Sequence, residues 1–296
     1  MGIQLIAEVE EVNWMVTLGE NQYGKSRVRV MKVEKFGDRH EVFEWNIEVW
    51  LKGDFTSCFD GGDNSLILPT DTMKNTVYSL ARASRAKTIE EFAAELVRHF
   101  VTTQPQVNQA GASIRATLWK HIDAGGKQHG TAFIQSGPAV DTVSVTYPRD
   151  GMPSVTSGFA NMAILKTAKS AFAGYIKDKL TTLKETHDRL LGTLATAEWR
   201  YAMSEVKYAD ARACITDALL SAFAEHDSLS VQQTLFAMGK AALKAASEIT
   251  EIRLQMPNKH CNLVDLSAFG QDNPNHIFVP TDEPHGSIEA CVRREN

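Results

Sequence analysis

Apolar and polar positions alternate most clearly over residues 41–51. Phe43, Trp45, Ile47, Val49 and Leu51 are interleaved with Glu44, Asn46 and Glu48, the pattern of a strand with one buried and one wet face. Residues 26–34 are rich enough in β-branched side chains to form a strand before it, and Gly53-Asp54 and a polar stretch at 58–65 end the run. At Thr70 the period changes. Thr70-Asp71-Thr72 supplies N-cap chemistry and predicts a helix to Arg85. Over 88–103, Ile89, Phe92, Ala93, Leu96, Val97, Phe100 and Val101 follow the spacing of an amphipathic helix. Residues 106–122 and 131–149 read as strands around a turn at Asp123-Ala124-Gly125-Gly126.

The second half repeats this order. Residues 155–168 and 194–207 predict long strands, with Trp199, Tyr201 and Met203 sharing a face. Over 208–226, Ile215, Ala218, Leu219, Ala222 and Phe223 form a helical stripe. Ser230-Val231-Gln232-Gln233 reads as a capping box that opens a helix to Ala246. Alternation returns over 249–256, and short strands near 260–266, 276–279 and 287–293 finish the chain. Each half is strand, strand, helix, helix, strand, strand, with no fixed-period sequence repeat. Such runs around paired helices predict an α+β fold of antiparallel sheets with the helices on one face. Turn residues at 149–153 set a boundary between a first domain, 17–150, and a second, 151–296.

A chain of 296 residues suits two domains of that size. Its net charge of −5 makes a general nucleic-acid binder a poor fit. No apolar run approaches the roughly 18 residues of a membrane span. Cys58, Cys214, Cys261 and Cys291 are scattered without a CxxC, which reads as free thiols in a reducing compartment. Glutamates interrupt the N-terminal stretch where a signal peptide needs apolar residues, and Ile6 stands where a myristoylation signal after Gly2 needs Ser or Thr. The expected location is the cytoplasm. The sequence contains neither a phosphate-cradling glycine loop nor a nucleophile elbow. Its nine histidines are dispersed, so nothing in their spacing argues for a metal. Ser84-Arg85-Ala86-Lys87 matches SxxK, but a short pattern at a helix end carries no chemistry by itself.

Several segments are more specific. In the first half they are Tyr23-Gly24-Lys25, Gly62-Asp63-Asn64-Ser65 and the run Thr70 to Tyr78, TDTMKNTVY. The second half adds Leu165-Lys166-Thr167, the run Ser170 to Tyr175 (SAFAGY), Thr181 to Arg189 (TTLKETHDR), and Ser230 to Thr234. Pro257-Asn258-Lys259-His260 and the run Phe269 to Asn275 (FGQDNPN) follow. Together and in this order they resemble the urate oxidase (uricase) family, a cofactor-free family of the tunnelling fold, from residue 17 to 293. The stretch 103–153 matches poorly and residues 1–16 have no counterpart. Ala171 and Ala173 stand where bulkier neighbours of Phe172 are usual, and Cys261 follows His260 where an aromatic ring is common. The alanines are expected to loosen the pocket wall and raise KM.

The resemblance implies tandem tunnelling-fold domains that assemble into a β-barrel tunnel, as a homotetramer with active sites at subunit interfaces. It implies a place in purine degradation: urate, dioxygen and water become 5-hydroxyisourate and hydrogen peroxide, with no cofactor because the substrate supplies the electrons. Urate is a flat anion, and its pocket needs a stacking platform, in-plane hydrogen bonds and a positive charge. Phe172 is implied as the platform, Arg189 as the planar fork, and Gln232 as the amide facing the ring edge. Alone, these would read as a core phenylalanine, an arginine paired with Asp188 or Glu185, and a solvated helix residue. Val231 and Gln232, and Asp71 in the other half, lie in first turns of helices, whose free N–H groups attract anions. Lys25, Thr70 and His260 are implied as a proton relay, the lysine acting once burial or a nearby cation lowers its pKa. Asn258 with Thr70 would hold dioxygen and then water. An inactive purine- or pterin-binding protein of the same fold is the alternative, and a zinc-dependent pterin enzyme would need clustered histidines. Retention of Lys25, Thr70, Asn258 and His260 favours the oxidase.

Overall fold

A computed structural model of the chain describes residues 15–202 and 205–295. In the first half, β1 (Tyr23–Phe36) and β2 (Arg39–Gly53) precede α1 (Thr56–Gly61), α2 (Thr70–Ala83) and α3 (Ile89–Thr103), and β3 (Val107–Ala124) and β4 (Lys127–Pro148) follow. In the second half, β5 (Ser154–Lys166) and β6 (Leu191–Tyr201) precede α4 (Tyr208–Glu225) and α5 (Val231–Ala245). The chain ends with β7 (Ile249–Gln255), β8 (Asn258–Leu263), β9 (Phe278–Gly286) and β10 (Glu289–Arg293).

All the strand pairs are antiparallel, in the order β1-β2-β3-β4-β5-β6-β7-β10. The sheet runs on through the turn at 149–153, where Val140–Thr146 of β4 pair with Ala160–Ser154 of β5. It does not close on itself, and β1 and β10 are its edges. Past β7, Pro257 interrupts the ladder, and β8 resumes pairing with β6 at Gly192 and Thr193 before turning out to β9. That excursion puts Asn258 and His260 just beyond the main sheet.

The two faces of the sheet differ because strand side chains alternate. Trp45, Ile47, Val49 and Leu51 of β2, Ile114 of β3, Val143 of β4 and Trp199 of β6 are buried against the helices. Phe92 of α3 stacks on Trp45 with ring centroids 4.9 Å apart. On the other face the register aligns Glu48 with Ser113, Ser113 with Ser144 and Ser144 with Thr156, a polar wall. The halves are also bound by a buried ionic cluster. Glu90 of α3 accepts from Ser157 Oγ of β5 at 2.6 Å and from Arg212 of α4, whose other contacts are the Gly158 and Thr142 carbonyls and, at 3.5 Å, Asp141.

Four local expectations need correction. The polar stretch 58–65 holds most of α1, closed by Gly62 at φ 69°, where glycine avoids the strain that a side chain meets in a left-handed conformation. Pro69, not Thr70, is the N-cap residue of α2; it offers no side-chain cap, and Thr70 is the first helical residue. At α5, Ser230 Oγ does accept from the Gln233 N–H at 3.1 Å, but the Gln233 amide oxygen reaches back to Leu229 N–H rather than to Ser230. The strand expected over 194–207 ends at Tyr201, and the expected position of Met203 lies outside the described residues, as do Gly2 and Ile6.

Candidate active site

Between Lys166 and Leu191 the chain leaves the sheet and is shaped by isolated backbone bonds. Phe172 N–H donates to Thr186 O at 2.7 Å and Thr186 N–H returns to Phe172 O at 3.1 Å. Arg189 N–H donates to Ser170 O at 3.0 Å. These bonds hold Phe172 and Arg189 side by side, the guanidinium carbon 5.4 Å from the ring centroid. Phe172 stacks on Tyr175 at 5.0 Å with an interplanar angle of 16°. The N-terminus of α5 brings Val231 and Gln232, and β8 brings Asn258 and His260. Phe172, Arg189, Val231, Gln232, Asn258 and His260 all line one cavity of about 640 Å³.

Arg189 is the electrostatic centre of this cavity. Its Nε and one terminal nitrogen are buried with no hydrogen-bond partner, and burial pulls its pKa below the ordinary arginine value. The acids that local sequence would pair with it are otherwise engaged. Glu185 pairs with Lys177 at 2.8 Å, and Asp188 accepts from Asn275 Nδ2 at 2.8 Å. A desolvated cation without a counterion is costly, so the cavity is built to receive negative charge. The free N–H groups of the first turn of α5 face the same requirement. Neither Phe172 nor His260 belongs to the core: Phe172 is half-buried, and His260 is exposed on β8.

Lys25, Thr70 and Asp71 form a second group that does not line this cavity. Tyr23 Oη accepts from Leu68 N–H at 2.9 Å, tying β1 to the segment that leads into α2, and burial raises the Tyr23 pKa. Gly24 lies so close to β2 that a Cβ would sit 2.0 Å from Val49 O, so only glycine fits. The ladder shifts register just after Lys25, which is half-buried opposite Val49. Asp71 accepts from Lys74 and, at 3.1 Å, from Asn75, and is held below the usual carboxylate range chiefly by Lys74, with a smaller contribution from the charge of Lys25. The chain thus gathers its candidate residues into two clusters.

Sequence reasoning missed Ile288, which lines the cavity and whose carbonyl accepts from Met256 N–H at 2.8 Å. It also missed the Asp188–Asn275 bond. Asn275 stands in a quoted motif, but no local signal joins residues 87 positions apart. A separate cavity of about 690 Å³, between the helix pairs beside Trp45, Met162 and Arg212, contains none of the candidates. Among the described residues no three His, Cys, Asp or Glu side chains converge as a metal site would require. No helix among them is long and apolar enough to cross a membrane. The four cysteines are unbonded.

The uricase family model matches residues 21–146 and 155–289. The chain is 41% identical over 280 residues to the uricase of Arthrobacter globiformis, covering 95% of this chain and 91% of that protein. It is 38% identical to the uricase of Dictyostelium discoideum, with 95% and 99% covered. The crystal structure of the Arthrobacter globiformis uricase superposes with a TM-score of 0.90 at 40% identity, covering 95% of this chain and 96% of that one. With more than half of its length matched by the family model and relatives this similar over nearly all of it, the chain belongs to the uricase family.

Proposed function

We propose that the chain is a urate oxidase, converting urate, dioxygen and water to 5-hydroxyisourate and hydrogen peroxide. The observation that carries this reading is the half-buried guanidinium of Arg189, two of whose nitrogens are buried without a partner, beside Phe172 in a cavity walled by a helix N-terminus. Membership of the uricase family supports it, and no observation favours the inactive purine- or pterin-binding alternative.

In this reading the urate anion stacks on Phe172, and Arg189 donates to two acceptors on its edge. The Gln232 amide and the Val231 N–H complete the in-plane contacts. Lys25 takes the second proton from urate, Thr70 passes it on because a hydroxyl both donates and accepts, and His260 reloads the lysine. Asn258 and Thr70 hold dioxygen and then water above the ring. The two clusters meet across an interface between two copies of the chain. The open edges at β1 and β10 supply unpaired backbone for such assembly, and in this reading the assembly is a homotetramer enclosing a tunnel. The polar face of the sheet suits the tunnel wall. Free cysteines suit a reducing cytoplasm.

The test is urate absorbance, oxygen uptake and peroxide formation by the purified protein after dialysis against chelator. Stoichiometric loss of urate with no added cofactor is expected. Activity that vanishes with chelator and returns with a metal would overturn the cofactor-free reading, and tight urate binding without turnover would establish the inactive alternative.

A further inference from the structure

Of the seven polar or charged residues buried in the described structure, five, Lys166, Ser170, Thr193, Ser228 and Thr234, stand on the segments that lead to the candidate cavity without lining it. Lys166 is the one cation among them. It stands at the end of β5, paired with Leu191 of β6, where the Phe172 segment leaves the sheet and the Arg189 segment returns. Its ammonium makes no ion pair among the described residues and instead donates to the Phe223 carbonyl at 3.2 Å and to the His226 carbonyl. Those are terminal carbonyls of α4, which lack intrahelical partners and carry the negative end of the helix dipole.

The turn after α4 is bonded to both sides of the cavity. Ser228 N–H donates to Lys169 O at 2.9 Å, and Ala171 N–H donates to Ser228 O at 2.7 Å, next to Phe172. Ser228 Oγ donates to Ser230 O at 3.1 Å and accepts from Thr234 Oγ1 at 2.7 Å, which fixes the N-terminus of α5. Arg189 N–H closes the network on Ser170 O.

We propose that Lys166 is a positioning residue for the substrate. By fixing the end of α4 and its turn, it sets through Ser228 the spacing between the Phe172–Arg189 segment and the α5 start with Val231 and Gln232. The proposal rests on the urate-binding reading of the cavity. Lys166 touches no reacting group, so its loss shows as weaker substrate binding rather than slower chemistry.

The test compares KM, kcat, urate affinity by equilibrium dialysis in the absence of dioxygen, and thermal unfolding for the wild type, Lys166→Met, Lys166→Arg and Glu90→Gln. Lys166→Met is expected to raise KM and the urate Kd about tenfold or more, with kcat within about threefold, because displaced groups lose uniform binding. Lys166→Arg keeps a cation against the carbonyls and restores most of the affinity. Glu90→Gln weakens a buried cluster away from the cavity and leaves KM within about twofold, so loss of stability alone does not mimic the effect. A folded Lys166→Met protein with wild-type KM and Kd overturns the proposal. Should it fail to fold, Ser228→Ala carries the test, with the same rise in KM expected and unchanged affinity counting against the proposal. A wild type that binds urate without turning it over defeats the oxidase reading alone, while Kd still decides the role of Lys166. A wild type that does not bind urate overturns both.

Discussion

The two helix starts that carry candidate residues are built in opposite ways. At α5 the Ser230 side chain caps the helix, the first turn contains no acid, and an unpartnered guanidinium lies in the adjoining cavity. At α2 there is no side-chain cap, Asp71 occupies the first turn, and Lys74 and Asn75 hold its carboxylate. A helix N-terminus favours negative charge. The α2 start already has its own in Asp71, whereas the α5 start leaves that place to a ligand. In the proposed reading the α5 side holds the anion, and the α2 side, with Lys25 and Thr70, moves protons.

Substitution on either side breaks this comparison if the roles are wrong. Lys25→Met is expected to have the largest effect, lowering kcat by about 10²- to 10⁴-fold, the usual contribution of a proton-transfer group, while KM stays close to wild type. Arg189→Ala is expected to act mainly on binding. Loss of a desolvated charged contact is worth about 2–5 kcal/mol, so KM rises by about a hundredfold or more. Steady-state kinetics on folded variants checks both, and the reverse pattern would exchange the two roles. The smallest effect sharpens the comparison. Tyr23→Phe leaves the Leu68 N–H without its acceptor, and denaturant unfolding should show a loss of about 1 kcal/mol. Because that bond steadies only the α2 side, kcat should fall a few-fold without a change in KM.

The fold was legible wherever burial has a period. Alternation at 41–51 gave the two faces of β2, and the spacing at 88–103 gave α3. Elements set by backbone geometry were not: α1 lies in a polar stretch without buried residues, and a proline caps α2. The candidate residues stood out only as motifs in order. Read singly, Arg189 pointed to Asp188 or Glu185, and nothing local indicated that Asn275 and Lys177 occupy those acids. Contacts made to carbonyls, as by Lys166, leave no trace in sequence because every residue has a carbonyl.

The central claim is that one catalytic site draws its proton-moving cluster from one copy of the chain and its anion-holding cluster from another. Lys25→Ala and Arg189→Ala chains, each nearly inactive alone when assayed at urate far below the raised KM of Arg189→Ala, test it when refolded together. A two-fold interface is reciprocal, so one site of a mixed dimer carries both defects and the other carries neither; random assembly leaves about a quarter of all sites intact. Recovery of urate oxidation to about that fraction of the wild-type rate is predicted by this reciprocity. Activity no higher than either parent, in a sample shown by mass to contain hybrids, would contradict it.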